Sequence, residues 1–165
     1  MKKLLVAFLL IFSVHSSFAQ KCVFTVDQKD PSTGVATQKI MVTIKDNFHI
    51  WLNRVGTDKS LSFEIVFADI KKEVIHKGDS LVLQLSNDDF ITLVAAEDAA
   101  PAGKADDVME ITNYYPVYNL SPADLNRILA ARIVGVKMYF GKDFNVWEFT
   151  EKQGKKILEA ATCIK

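Results

Sequence analysis

Ile40-Met41-Val42-Thr43-Ile44-Lys45-Asp46-Asn47-Phe48-His49-Ile50-Trp51-Leu52 places an aliphatic or aromatic residue at every second position of two runs that meet at Asp46-Asn47. Successive side chains of a strand point to opposite faces, so Ile40, Val42 and Ile44 share one face, and Phe48, Ile50 and Leu52 share the matching face of the next run. Asp-Asn is turn chemistry, and so short a link joins antiparallel neighbours. The stretch therefore reads as a hairpin with one side on a core.

The same pattern extends outward in both directions. Leu61, Phe63, Ile65 and Phe67 form a further strand, as do Leu81, Leu83 and Leu85, and then Ile91, Leu93 and Ala95. Gly56-Thr57-Asp58, Lys77-Gly78-Asp79 and Asn87-Asp88-Asp89 punctuate them, and Asp30-Pro31-Ser32-Thr33-Gly34 reads as a hairpin loop after a first strand at 22–27. Turn-linked strands with one apolar face predict an antiparallel meander.

Residues 97–107 have no amphipathic period and read as a surface loop before a strand at 108–120. The helices come late. Ser121-Pro122-Ala123-Asp124 supplies an N-cap serine, a proline at the first helical position and a carboxylate in the first turn, opening a helix to about residue 131. A hairpin of 133–140 and 144–149 follows across Gly141-Lys142-Asp143, and Thr150 with Gln153 makes a capping box for a terminal helix. Ile157, Ala160, Ala161 and Ile164 mark its buried side, while Gly154 weakens it by about 1 kcal/mol relative to alanine on propensity alone. The expected fold class is α+β: mainly an antiparallel β-sheet meander with two helices toward the C-terminus.

Residues 1–19 read as an export signal. Met1-Lys2-Lys3 is a basic start, 4–14 is an apolar run, and Ser17-Phe18-Ala19 carries the small residues read at cleavage, leaving Gln20 first in the mature chain. The apolar run falls short of the roughly 20 residues that span a bilayer. Lys21 directly before Cys22 argues against lipid attachment. Residues 20–165 then form a single domain, periplasmic or extracellular. Its two cysteines, Cys22 and Cys163, read as one disulfide in an oxidising compartment; a redox-active pair would need closer spacing, such as Cys-x-x-Cys.

Several function classes fall away on composition. Lysines dispersed among carboxylates, and a mature chain with a slight acidic excess, do not give the basic face that nucleic acid needs. Only His49 and His76 follow the signal. A small hydrolase could recruit His76 with Asp79 and Ser80, or use paired carboxylates, but there is no Gly-x-Ser-x-Gly elbow. Asp88, Asp89, Glu97, Asp98, Asp106, Asp107 and Glu110 lack the spacing of a calcium loop, so neither a metal nor a cofactor is expected.

Aromatic residues are the stronger candidates. Trp51, Tyr114, Tyr115, Tyr118, Tyr139 and Trp147 lie on predicted strands, and alternation turns some of them away from the core. Exposed rings stack on sugars or anchor protein partners. Trp51, Tyr115 and Trp147 are the candidate ligand-binding residues of a non-enzymatic exported module for a protein or carbohydrate ligand; the hydrolase is the alternative.

Cys22 soon after the signal, the Asp30-to-Gly34 hairpin, Lys77-Gly78-Asp79-Ser80-Leu81-Val82-Leu83-Gln84-Leu85, a tyrosine-containing segment leading into Leu120-Ser121-Pro122-Ala123-Asp124-Leu125, and a terminal helix occur in that order. Together they resemble a group of small exported bacterial proteins of uncharacterised function. The resemblance covers most of the mature chain and implies an α+β domain. It supplies no activity and no catalytic residue.

Overall fold

The computed structural model describes residues 22–68, 73–106 and 109–165. The export signal expected at 1–19 and the mature start at Gln20 lie outside them. The chain is α+β, with antiparallel strands and two helices near its C-terminus, as its alternation predicts.

Strands β1 (Val26–Lys29), β2 (Ala36–Lys45), β3 (Phe48–Val55) and β4 (Asp58–Phe67) form a meander in sequence order. Its first loop is built by Asp30, whose Oδ1 accepts from the amides of Ser32 and Thr33, and by Gly34, whose φ of 72° suits a residue without a side chain. Strands β5 (Ser80–Leu85) and β6 (Phe90–Val94) then leave that sheet. They pair with each other, and β5 pairs with β10 (Ile133–Phe140), itself paired with β11 (Asp143–Glu148), in a second, four-stranded sheet. Strands β7 (Ala102–Asp106), β8 (Met109–Tyr114) and β9 (Val117–Asn119) complete the first sheet, β8 and β9 both pairing with β4.

Two local expectations need correction. The segment 97–107 is not wholly a loop, because β7 within it is held by backbone pairing to β8, Ala102 opposite Asn113 and Asp106 opposite Met109. The strand expected at 108–120 is two strands broken at Tyr115-Pro116. Tyr114 turns inward there, its hydroxyl donating to the Glu73 carbonyl at 2.7 Å, and the next residue faces out.

The inner faces of both sheets share one hydrophobic core. Ile40, Val42, Phe48, Ile50, Leu61 and Phe63 come from the first sheet, Leu81, Leu83, Ile91, Leu93, Val136 and Met138 from the second. Helix α1 (Pro122–Ala130) starts at Ser121, whose side chain accepts from the Asp124 amide, and helix α2 (Glu151–Cys163) starts at the Thr150–Gln153 capping box. Gln153 Nε2 also donates to the Ile44 carbonyl at 2.7 Å, fastening the start of α2 to β2. Its other end is fastened covalently by the Cys22–Cys163 disulfide, with Cα atoms 5.7 Å apart.

Gly154 has a structural cause that helix propensity misses. A Cβ at this position would stand 2.8 Å from the Ile133 carbonyl oxygen, so the glycine lets α2 close onto β10. Gly154→Ala is expected to destabilise the protein by about 1–3 kcal/mol through overpacking, the opposite sign to its propensity gain. Equilibrium urea denaturation decides it; a variant more stable than the parent would show that α2 moves aside freely.

Candidate functional site

Alternation on the first sheet sends Ile40, Ile50, Leu52, Leu61 and Phe63 into the core and leaves the intervening residues on the outer face. The strand registers line these up in rows. Met41, Trp51, Ser62 and Val117 run across β2, β3, β4 and β9, while Lys39, Asn53, Ser60 and Asn119 form the row beside them. Thr43, His49 and Glu64 lie on the other side. Ser62 is the small member of the central row, so a trough lies between the Trp51 indole and Val117.

Tyr115 joins this trough from the break between β8 and β9, with 52% of its surface exposed. The resulting groove has a volume of about 290 Å³ and is lined by Lys39, Trp51, Asn53, Ser62, Glu64 and Tyr115, with Val26, Phe63 and Val117. Trp51 is half-buried. Two of the three aromatic candidates thus meet in one concavity. Trp147 lies elsewhere, on the inner side of β11, stacked on Phe48 at 4.7 Å between ring centroids.

The polar lining of the groove, Lys39, Asn53, Ser62 and Glu64, was not singled out from sequence. Asn53 is 9% exposed, and its Nδ2 donates to Ser62 Oγ at 2.9 Å and to Ser60 Oγ at 3.3 Å. Its Oδ1 is buried with no hydrogen-bond partner among the described residues. In sequence it is simply a polar residue at an outward position of a strand; its burial comes from the neighbours that flank it.

A second exposed set also went unread. Phe90, Val94, Phe144 and Val146 stand on the outer face of the four-stranded sheet, each more than half exposed. The Lys137 ammonium already sits 4.0 Å from the Phe144 ring centroid and 4.8 Å from that of Tyr139. Part of that aromatic surface is therefore occupied by a cation–π contact.

The catalytic alternatives are engaged in holding turns. Asp79 accepts from the His76 amide at 2.8 Å and Asp98 accepts from the Lys77 amide at 2.7 Å, while His76 Nδ1 stands 3.9 Å from Asp98 Oδ1 at the surface. His49 Nδ1 is 3.2 Å from Thr43 Oγ1 across β2 and β3. Asp89 binds Arg127 at 2.7 Å, and that hydrogen bond, with one from the Phe90 amide, holds its carboxyl below the usual range. Burial, with the nearby Asp79 carboxylate, pushes the Tyr118 phenol far up, so it stays neutral at physiological pH. Among the described residues no three His, Cys, Asp or Glu side chains converge as metal ligands. Asp107 and the side chains of Asp106 and Glu110 lie outside the description.

The sequence matches no protein-family model and no curated protein, and no solved structure matches the fold. The chain is a two-sheet α+β protein, stapled by one disulfide, with a mixed aromatic and polar groove on its larger sheet.

Proposed function

We propose that this chain is an exported, non-enzymatic ligand-binding module whose site is the groove between Trp51 and Tyr115. The observation that carries the reading is the meeting of two large amphipathic rings, one from β3 and one from the break between β8 and β9, in one concavity with polar groups in its lining. Such rings supply much contact area with few rotors to immobilise. Export is supported by the signal grammar of 1–19 together with the disulfide, and no helix among the described residues is long and apolar enough to cross a membrane.

Protein purified from the cell envelope is expected to begin at Gln20 by intact mass. Retention of envelope components on the immobilised protein tests the site. Trp51→Ala or Tyr115→Ala should weaken retention by about 2 kcal/mol, roughly 30-fold, as at an interface hot spot. Replacing His49 and His76 together by alanine should change it by less than about 1 kcal/mol. The reverse pattern, with turnover of model esters or glycosides lost in the histidine pair, would transfer the reading to a hydrolase.

A further inference from the structure

An unprotected sheet edge is a template for another strand, and proteins blunt such edges with short strands, charges, prolines, bulges or a covering segment. Among the described residues the sheets end at β1, β7, β6 and β11. Strand β1 is short and carries Asp27 and Lys29, and β7 has Lys104 at its centre. Strand β6 is closed off by β9, through the Ala95–Tyr118 bridge and the Ala96 amide on the Val117 carbonyl at 2.8 Å. Strand β11 has no such device. It pairs with β10 in unbroken register from Asp143 to Glu148, contains no proline, and keeps its charges at its two ends.

The pairing with β10 fixes which backbone groups are free. The Phe149 amide donates to the Val134 carbonyl at 2.8 Å, so alternation turns the backbone groups of Asp143, Asn145 and Trp147 toward β10 and those of Phe144, Val146 and Glu148 away from it. Among the described residues no backbone group meets those three. Phe144 and Val146 are also more than half exposed on the outer face. Open backbone and apolar side chains lie along one edge.

This edge is complementary to itself. When two copies of β11 run antiparallel about a two-fold axis at Asn145, Phe144 and Val146 of one fall opposite Val146 and Phe144 of the other, and each pair has free backbone groups to exchange. Lys142 then faces Glu148 at both ends, opposite charges in register. Asn145 meets its own copy at the axis, where two amides can each donate and accept. Other registers lose this match. A slide of two residues sets Phe144 against Glu148 in one direction and Val146 against Lys142 in the other, and a slide of one sets free backbone groups against groups already bound to β10.

We infer that β11 pairs with β11 of a second copy, forming a two-fold dimer in which the four-stranded sheets join edge to edge. The groove lies on the other sheet, so the inference does not rest on it.

Sedimentation equilibrium of the disulfide-intact mature protein tests this from about 5 to about 500 μM, because interfaces under roughly 1,200 Å² associate weakly. The dimer fraction should grow across that range. Val146→Pro removes an amide that faces away from β10, so it should preserve the circular dichroism and leave the chain monomeric throughout. Glu148→Lys sets like charges opposite each other at both ends and should weaken dimerisation about tenfold, and adding Lys142→Glu should restore it. If proline disturbs the hairpin, that charge reversal and its rescue decide. Trp51→Ala should dimerise like the parent. Monomer at every concentration overturns the inference, as does a dimer that survives Val146→Pro or is indifferent to Glu148→Lys. A dimer lost in Trp51→Ala would place the contact on the larger sheet and overturn it as well.

Discussion

Phe48→Ala is expected to lower the unfolding free energy by about 3–5 kcal/mol, the range for emptying a phenylalanine site in a well-packed core. Phe48 is fully buried on β3 and links the two sheets through its ring. It stacks on Trp147 of β11 at 4.7 Å and lies 5.9 Å from Phe63 and 6.2 Å from Phe149 between centroids. Deleting it removes apolar burial and leaves a cavity whose walls are rings from both sheets, which cannot all collapse inward together. The Trp147 emission should shift to the red as its stacking face opens. Urea denaturation with fluorescence detection measures both effects. A loss below about 1 kcal/mol would mean that Trp147 rotates to fill the space and that the inter-sheet stack is dispensable.

The second large effect concerns the covalent staple. Cys163→Ser should lower stability by roughly 2–5 kcal/mol while leaving the far-ultraviolet circular dichroism nearly unchanged. The bond closes a loop with a sequence separation of 141 residues, so its main action is on the unfolded chain, where the chain-entropy view assigns about 4–5 kcal/mol to a loop of that length. In the folded state α2 keeps other attachments, namely Ile157, Ala160 and Ala161 in the core and Gln153 on the Ile44 carbonyl. Denaturation with and without reductant gives the comparison, and thiol titration of the native protein should find none. Equal midpoints in oxidised parent, reduced parent and serine variant would show that the bond contributes nothing to stability.

What the sequence disclosed, and what it withheld, divides along a physical line. Inward and outward positions are local facts of a period-two chain, so the buried faces of β2, β3, β4, β5 and β6 could be read directly, as could the Ser121 and Thr150 caps, where a few neighbouring residues satisfy free amides. Partnership between strands is not local. Leu83 alternates as it should, but nothing nearby says that its opposite number is Val136. That pairing draws β5 and β6 out of the meander into a second sheet. Strand β7 escaped notice because an outer strand can be held by backbone pairing without an apolar stripe of its own. The groove was half legible. Trp51, Tyr115 and Trp147 could be named as candidates, but which of them face outward could not; Trp147 packs on Phe48, the meeting of the other two depends on the break before β9, and the burial of Asn53 depends on its cross-strand neighbours.

The disulfide also decides how the molecule answers a mechanical pull. Tension applied outside the two cysteines passes from Cys22 to Cys163 through sulfur, across Cα atoms 5.7 Å apart, and neither sheet carries any load. Oxidised, the domain is an inextensible shackle, however weak or strong its core. Reduced, the same stretch of chain becomes an extensible tether that can pay out to roughly 500 Å at about 3.3–3.6 Å per residue, and the order in which β-strands tear becomes the force response.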